Sequence, residues 1–286
     1  MTLTTLIDVA SLRELAAESA VLDCRFDLAK PGAGLKAYLA AHIPGARYAD
    51  LNRDLASPVT ADSGRHPLPS PAALTQFFVS IGVGDETQVV AYDDANGSFA
   101  ARAWWLLNWL GHPQVAVLDG GFKAWLASGG AVESGEPVTQ VAPGAKRFTA
   151  RLRPEMVMTA AEVLRALRNP NRLLVDARAP ERFAGSVEPL DPVAGHVPGA
   201  VNHPFTSNLN SHARFLPADE LRQLWLQRLA GRAPQNMIAM CGSGVTACHN
   251  LLALSLAGLP GAKLFPGSWS EWIRDPDRPV ARGDFA

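Results

Sequence analysis

Four short runs along the chain are apolar with little or no alternation: Gln88-Val89-Val90-Ala91-Tyr92, Val115-Ala116-Val117-Leu118, Leu173-Leu174-Val175 and Met237-Ile238-Ala239-Met240. Longer amphipathic stretches separate them. Strands that are apolar on both faces, spaced by helical segments, predict a buried, mainly parallel sheet covered by helices, and therefore an α/β fold. Thr159-Ala160-Ala161-Glu162 has the form of a capping box, in which Thr159 accepts from the Glu162 amide and opens a helix. A helix through Cys248, Leu251, Leu252, Ser255 and Leu256 is expected after the run 237–240, closed by Gly258 and Pro260.

The order of these features occurs twice. Val21-Leu22-Asp23-Cys24-Arg25 and Ala41-His42-Ile43-Pro44-Gly45-Ala46 are matched by Leu174-Val175-Asp176-Ala177-Arg178 and Gly195-His196-Val197-Pro198-Gly199-Ala200, with Asp23 and Asp176 offset by 153 residues and His42 and His196 by 154. Gly111 matches Gly258, and Trp125 matches Trp272, at an offset of 147. Two copies of one domain account for this. The stretch with Pro137, Pro143, Gly144 and Pro154 carries neither period, so the expected organisation is a first domain over 1–135, a linker over 136–154 and a second domain over 155–286.

Composition narrows the partners. Lys and Arg number 26 against 27 Asp and Glu, so no overall field draws the chain to nucleic acid or to an anionic membrane. No apolar run approaches membrane-spanning length, and the first ten residues lack the basic start and apolar core of a signal peptide, so the expected location is cytoplasmic. The three cysteines, Cys24, Cys241 and Cys248, are too few for a disulfide framework and suit a reducing compartment. Neither they nor the scattered histidines have metal-site spacing. No metal or organic cofactor is implied.

In a parallel sheet, ligands gather at the carboxyl ends of strands, where loops lead into helices with unpaired amides. Cys241-Gly242-Ser243-Gly244-Val245-Thr246 occupies such a place after the run 237–240. Two glycines let the backbone curl with its amides inward, and the helix dipole adds to them, so an anion at the centre is favoured. The anion would be the Cys241 sulfur, as thiolate or persulfide. The other reading of the loop is a buried cysteine that happens to precede a helix.

At these residues the chain resembles the tandem rhodanese family of thiosulfate and 3-mercaptopyruvate sulfurtransferases, and the resemblance runs over nearly all of it. It rests on the paired Asp-x-Arg and His-x-Pro-Gly-Ala elements, the segment around Trp104 and Trp105, Gly267-Ser268-Trp269-Ser270-Glu271-Trp272, and the active loop, whose Cys-Gly-Ser-Gly-Val-Thr sequence looks like the mercaptopyruvate form. The resemblance implies two rhodanese-like domains and transfer of sulfur through a persulfide on Cys241. It implies Ser243 and His66 as catalytic partners, and Arg182, with Gly242, Gly244, Val245 and Thr246, as the substrate-binding set. Asp93 stands where the first copy would carry its nucleophile, and since a carboxylate cannot form a persulfide that copy is expected to be silent. Arg25, Arg178, His42 and His196 read as structural, and Cys248 as packed in the core.

Two positions depart from the mercaptopyruvate pattern. The second family arginine, nine residues after the first, is replaced by Asp191, which would repel an anion if it faced the pocket; and Asn52, with Asp50 two residues before it, falls where a relay aspartate is expected. The expected reaction is a two-step exchange: 3-mercaptopyruvate, or alternatively thiosulfate, gives its outer sulfur to Cys241, and cyanide, a small thiol or a thioredoxin-like protein removes it. A rhodanese-fold phosphatase would need an arginine six residues after the cysteine, where Ala247 stands. A non-catalytic binding module would not need the cysteine.

Overall fold

The computed structural model describes residues 3–136 and 147–283, so the central part of the expected linker, 137–146, lies outside the described residues. The chain forms two compact units. One takes the chain up to Ser57, then Leu68–Arg153 and His212–Arg214; the other takes Pro58–Pro67, Pro154–Ser211 and the chain from Phe215 onward. A ten-residue segment from the first sequence copy is thus part of the second unit.

The first unit has five parallel strands: β1 (Leu6–Ile7), β2 (Ala20–Asp23), β3 (Arg47–Tyr48), β4 (Val89–Tyr92) and β5 (Val115–Leu118), in the order β1-β5-β4-β2-β3. Its helices are α1 (Val9–Leu15), α2 (Ala33–Ala40), α3 (Pro71–Ser80), α4 (Ala100–Trp109) and α5 (Gly121–Ala127). The second unit repeats the plan with β6 (Leu173–Asp176), β7 (Val201–Asn202), β8 (Met237–Met240) and β9 (Lys263–Leu264), all parallel in the order β7-β6-β8-β9. Where β1 flanks β5, the second unit has a single parallel bridge from Val157 to Leu264. Its helices are α6 (Ala160–Ala166), α7 (Pro180–Ala184), α8 (Ala218–Leu229), α9 (Thr246–Leu256) and α10 (Ser268–Trp272). Among the described residues no helix is long and apolar enough to cross a membrane.

The central strands β4 and β8 are buried at every residue, which explains their unbroken apolar runs. The helices that follow them are nearly as enclosed: nine residues of α4 and eight of α9 are buried. One core gathers Val21, Val90, Tyr92, Phe122 and Trp125, and the other Leu174, Ile238, Met240, Phe265, Trp269 and Trp272. The capping box at Thr159 forms, with Thr159 and Glu162 exchanging bonds at the start of α6.

In each unit an arginine pins the His-x-Pro-Gly-Ala turn to the strand end before it. Arg25 holds Asp23 through Nε at 2.9 Å and donates to the Ala41 carbonyl at 2.6 Å; Arg178 holds Asp176 at 2.9 Å and donates to the Gly195 carbonyl at 2.8 Å. The following histidines lie flat on a ring, His42 on Tyr38 and His196 on Phe183, and each bonds that residue's carbonyl through Nδ1 at 2.8 Å. These four residues are engaged in holding the fold.

Candidate active site

Cys241 follows β8 directly and is 2% exposed. The β8–β6 ladder fixes the strand end, and the hydroxyl of Ser268 accepts from the Cys241 amide at 3.0 Å while donating to the Phe265 carbonyl at 2.9 Å. The carbonyls of Cys241 and Gly242 accept from the amides of Trp269 and Ser270, at 3.0 and 2.9 Å. These bonds tie both ends of Cys241 to the start of α10.

The loop then turns back over the sulfur. Gly244 sits at φ +76°, and its amide donates to the Cys241 Sγ at 3.1 Å. A side chain at position 244 would place its Cβ 2.2 Å from the Pro266 carbonyl oxygen. Glycine is therefore required twice, for the left-handed backbone and for the space. Val245 is buried at the N-cap of α9, and Thr246 is the half-buried first residue of that helix. Cys248, fully buried, donates its Sγ to the Gly244 carbonyl at 3.3 Å, so it braces the loop from beneath.

Ser243 and His66 meet, with Oγ and Nδ1 2.7 Å apart and both residues buried. They are separated by 177 positions in sequence and brought together because Pro58–Pro67 belongs to the second unit. Within that segment Gly64 lies so close to the Gly267 carbonyl that a Cβ would come within 2.5 Å of it, the Arg65 amide donates to Ser270 Oγ at 3.0 Å, and Arg274 donates to the Ser63 carbonyl at 3.3 Å. Asp50 and Asn52 belong to the first unit, where Asp50 accepts the Asn52 and Arg53 amides at 2.8 and 3.0 Å.

Arg182, in α7, points a guanidinium at the loop. It pairs with Glu188 at 2.7 Å and with Asp191 at 3.2 Å. Asp191 also binds Arg65, and its carboxylate is 3% exposed and shared by two arginines, so the condition under which it would repel an anion, an open face toward the pocket, is not met. Glu188 is shared likewise, between Arg182 and Arg178. Burial alone would raise Glu188, but the bond from Arg182, the Leu190 and Asp191 amides and the Arg182 charge outweigh it and hold the carboxyl below its ordinary value. Burial prevails at Asp191, with the charge of Glu188 behind it, and the carboxyl is raised despite Arg65, Arg182 and Arg178. Arg65 and Glu188 were not singled out in the sequence. The signal for Arg65 was its place next to His66.

The first unit shows what the same loop does with a carboxylate. Asp93 follows β4, as Cys241 follows β8, and its Oδ1 accepts from Ala95 and Gly97 at 2.8 and 2.9 Å while Oδ2 accepts from Phe99 and Ala100 at 2.8 and 2.9 Å. Burial pushes this carboxyl up, and the four amides pull it down. The curled loop holds an anion, supplied here by the protein itself.

Known proteins share this sequence and architecture. A family model described as a rhodanese-like domain matches twice, over residues 8–128 and 159–275. A protein of Pseudomonas aeruginosa described as a "Probable 3-mercaptopyruvate sulfurtransferase" is 53% identical over 92% of both chains. The thiosulfate sulfurtransferase of Rattus norvegicus is 38% identical over 87% of this chain and 83% of its own. The solved 3-mercaptopyruvate sulfurtransferase from Leishmania major superposes with a TM-score of 0.84 at 32% identity, covering 96% of this chain and 76% of its own. Two matched domains on two parallel sheets, and relatives of this closeness along almost the whole chain, place it in the rhodanese family as a two-domain sulfurtransferase.

Proposed function

We propose that the protein takes the outer sulfur of 3-mercaptopyruvate onto Cys241 and passes the resulting persulfide sulfur to a thiol or cyanide acceptor. The observation that carries the donor assignment is the contact between Ser243 and His66, 2.7 Å apart on the reactive loop. The Cys241 thiolate attacks the donor's sulfur, an S–S bond forms, the C–S bond breaks and its electron pair goes to carbon, giving the enolate of pyruvate. That enolate needs a proton, and the donor's thiol has one to lose. A hydroxyl bonded to an imidazole can relay it. Thiosulfate requires no such step, because sulfite leaves with the electron pair and takes no proton.

Arg182 holds the donor carboxylate, and the backbone of Gly242, Gly244, Val245 and Thr246 surrounds the sulfur, with the Gly244 amide already bonded to Sγ. The neutral Gly242-Ser243 pair gives the loop no cation of its own for a dianion. Acceptors that fit a sulfur held in such a loop are cyanide, small thiols or a thioredoxin-like protein, and the setting is the cytoplasm, where three buried free cysteines stay reduced. The first unit, with Asp93 in the nucleophile's place, takes no sulfur.

The test is a side-by-side measurement of sulfur uptake, by intact-protein mass, with 3-mercaptopyruvate and with thiosulfate. One added sulfur atom is expected, absent in Cys241→Ser, and formed faster from 3-mercaptopyruvate. Ser243→Ala should slow uptake from 3-mercaptopyruvate and leave uptake from thiosulfate nearly unchanged. Faster uptake from thiosulfate in the unaltered protein overturns the donor assignment.

A further inference from the structure

The family arginine replaced by Asp191 leaves the donor site short of one positive charge by sequence. The structure contains another. Arg65 reaches the same place from the Pro58–Pro67 segment, with its side chain 26% exposed, and pairs through Nη1 with the buried Asp191. Its other terminal nitrogen, Nη2, lies 2.9 Å from the point where a Cβ on Gly242 would stand, and Arg182 Nη1 and Nη2 lie 3.5 and 3.6 Å from that same point. Among the described residues, Arg65 Nη2 and Arg182 Nη1 meet no hydrogen-bond acceptor, whereas Arg182 Nε and Nη2 are taken by Glu188 and Asp191. Two unengaged guanidinium nitrogens therefore converge over one glycine, immediately next to the nucleophile. Oxygens of a carboxylate suit such a pair of planar donors.

We propose that Arg65 is the second donor-binding guanidinium of this enzyme, and that Asp191 is a positioning residue that clamps Arg65 and Arg182 side by side over Gly242. The inference rests on the proposed sulfurtransfer at Cys241. It inverts the meaning of the aspartate: Asp191 does not repel the donor, because its charge is spent on the two groups that hold the donor. The missing arginine is made good from a segment 126 residues away in sequence. Glu188 completes the device by fixing the remaining edge of Arg182 against Arg178.

The test is binding without turnover: calorimetric titration of 3-mercaptopyruvate into the full-length Cys241→Ser protein, and into the same protein carrying Arg65→Ala, Arg65→Lys, Asp191→Asn or Asp191→Glu. Loss of one charge-assisted hydrogen bond predicts a Kd raised about tenfold or more in Arg65→Ala. Arg65→Lys should be intermediate, since an ammonium keeps the charge and loses the fork. Asp191→Asn should weaken binding in the same direction, and Asp191→Glu should restore part of it. In the Cys241-containing enzyme the same Arg65 and Asp191 variants should raise KM for 3-mercaptopyruvate far more than they lower the limiting rate. An unchanged Kd in Arg65→Ala, tighter binding in Asp191→Asn, or no saturable binding to the Cys241→Ser parent overturns the inference. If the unaltered enzyme takes up no sulfur, the proposed transfer itself falls, while the titration still decides whether Arg65 holds the anion.

Discussion

Gly244→Ala separates the geometry of the loop around the Cys241 sulfur from simple backbone preference. Position 244 has φ +76°, and a left-handed conformation costs a residue with a Cβ roughly 1–2 kcal/mol. The new Cβ would also lie 2.2 Å from the Pro266 carbonyl oxygen. A carbon and a carbonyl oxygen need about 3.3 Å, so the loop must move by about 1 Å. The Gly244 amide is 3.1 Å from Sγ, and that displacement breaks the bond. A hydrogen bond to a charged sulfur contributes about 1.5–3 kcal/mol, so sulfur uptake should fall roughly tenfold or more, on top of the lost stability. Gly199→Ala is the control: its φ is +78°, with nothing within 4 Å of the added Cβ, so it bears the backbone cost alone. Urea unfolding and the rate of sulfur uptake, measured on both variants, give the answer. Equal stability and equal rates would refute the geometry of the loop over the sulfur.

Asp93→Asn turns one carboxylate oxygen into an amino group that faces two backbone amides, so about 2–4 kcal/mol of stability should be lost in urea unfolding while the folded variant still takes sulfur onto Cys241. Cys248→Ser keeps a donor for the Gly244 carbonyl, now at 3.3 Å from Sγ, and should retain sulfur uptake; its loss in a folded variant would place Cys248 in the chemistry. His203 is 1% exposed, and burial lowers it to about 4 from an ordinary value near 6.5. The folded state refuses a proton that the unfolded chain accepts, so stability should be constant above pH ~6.5 and fall by about 3 kcal/mol as the pH drops to ~4. His203→Gln should flatten that slope in urea unfolding measured across the same range.

The sequence carried the parts of the fold that leave a period or a fixed neighbour. The runs at 88–92 and 237–240 became β4 and β8 because strands buried on both faces show as unbroken apolar stretches. The Thr159 cap was legible because both of its partners lie within three residues. The edge strands β1, β3, β7 and β9 have two residues each, too short to show alternation, and went unread. The site divides in the same way. Cys241 and its loop could be placed from the chain alone, because a strand end and a helix start are local features. The Arg65–Asp191 pair could not, since it joins positions 126 apart and neither residue sits in a period. Asp191 read by itself would repel an anion if it faced the pocket; its pairing with Arg65 and Arg182 is visible only in three dimensions.

The carboxylate of Asp93 has a consequence for the first unit. A loop with four inward amides is a debt of unsatisfied donors unless something negative sits among them. A copy with no cysteine at this place is under the same electrostatic demand. An alanine or a leucine there would strand the amides in the interior, whereas aspartate answers all four, with a group that cannot form a persulfide. The first unit is therefore not free to drift at this position: the backbone of its loop goes on asking for a negative group.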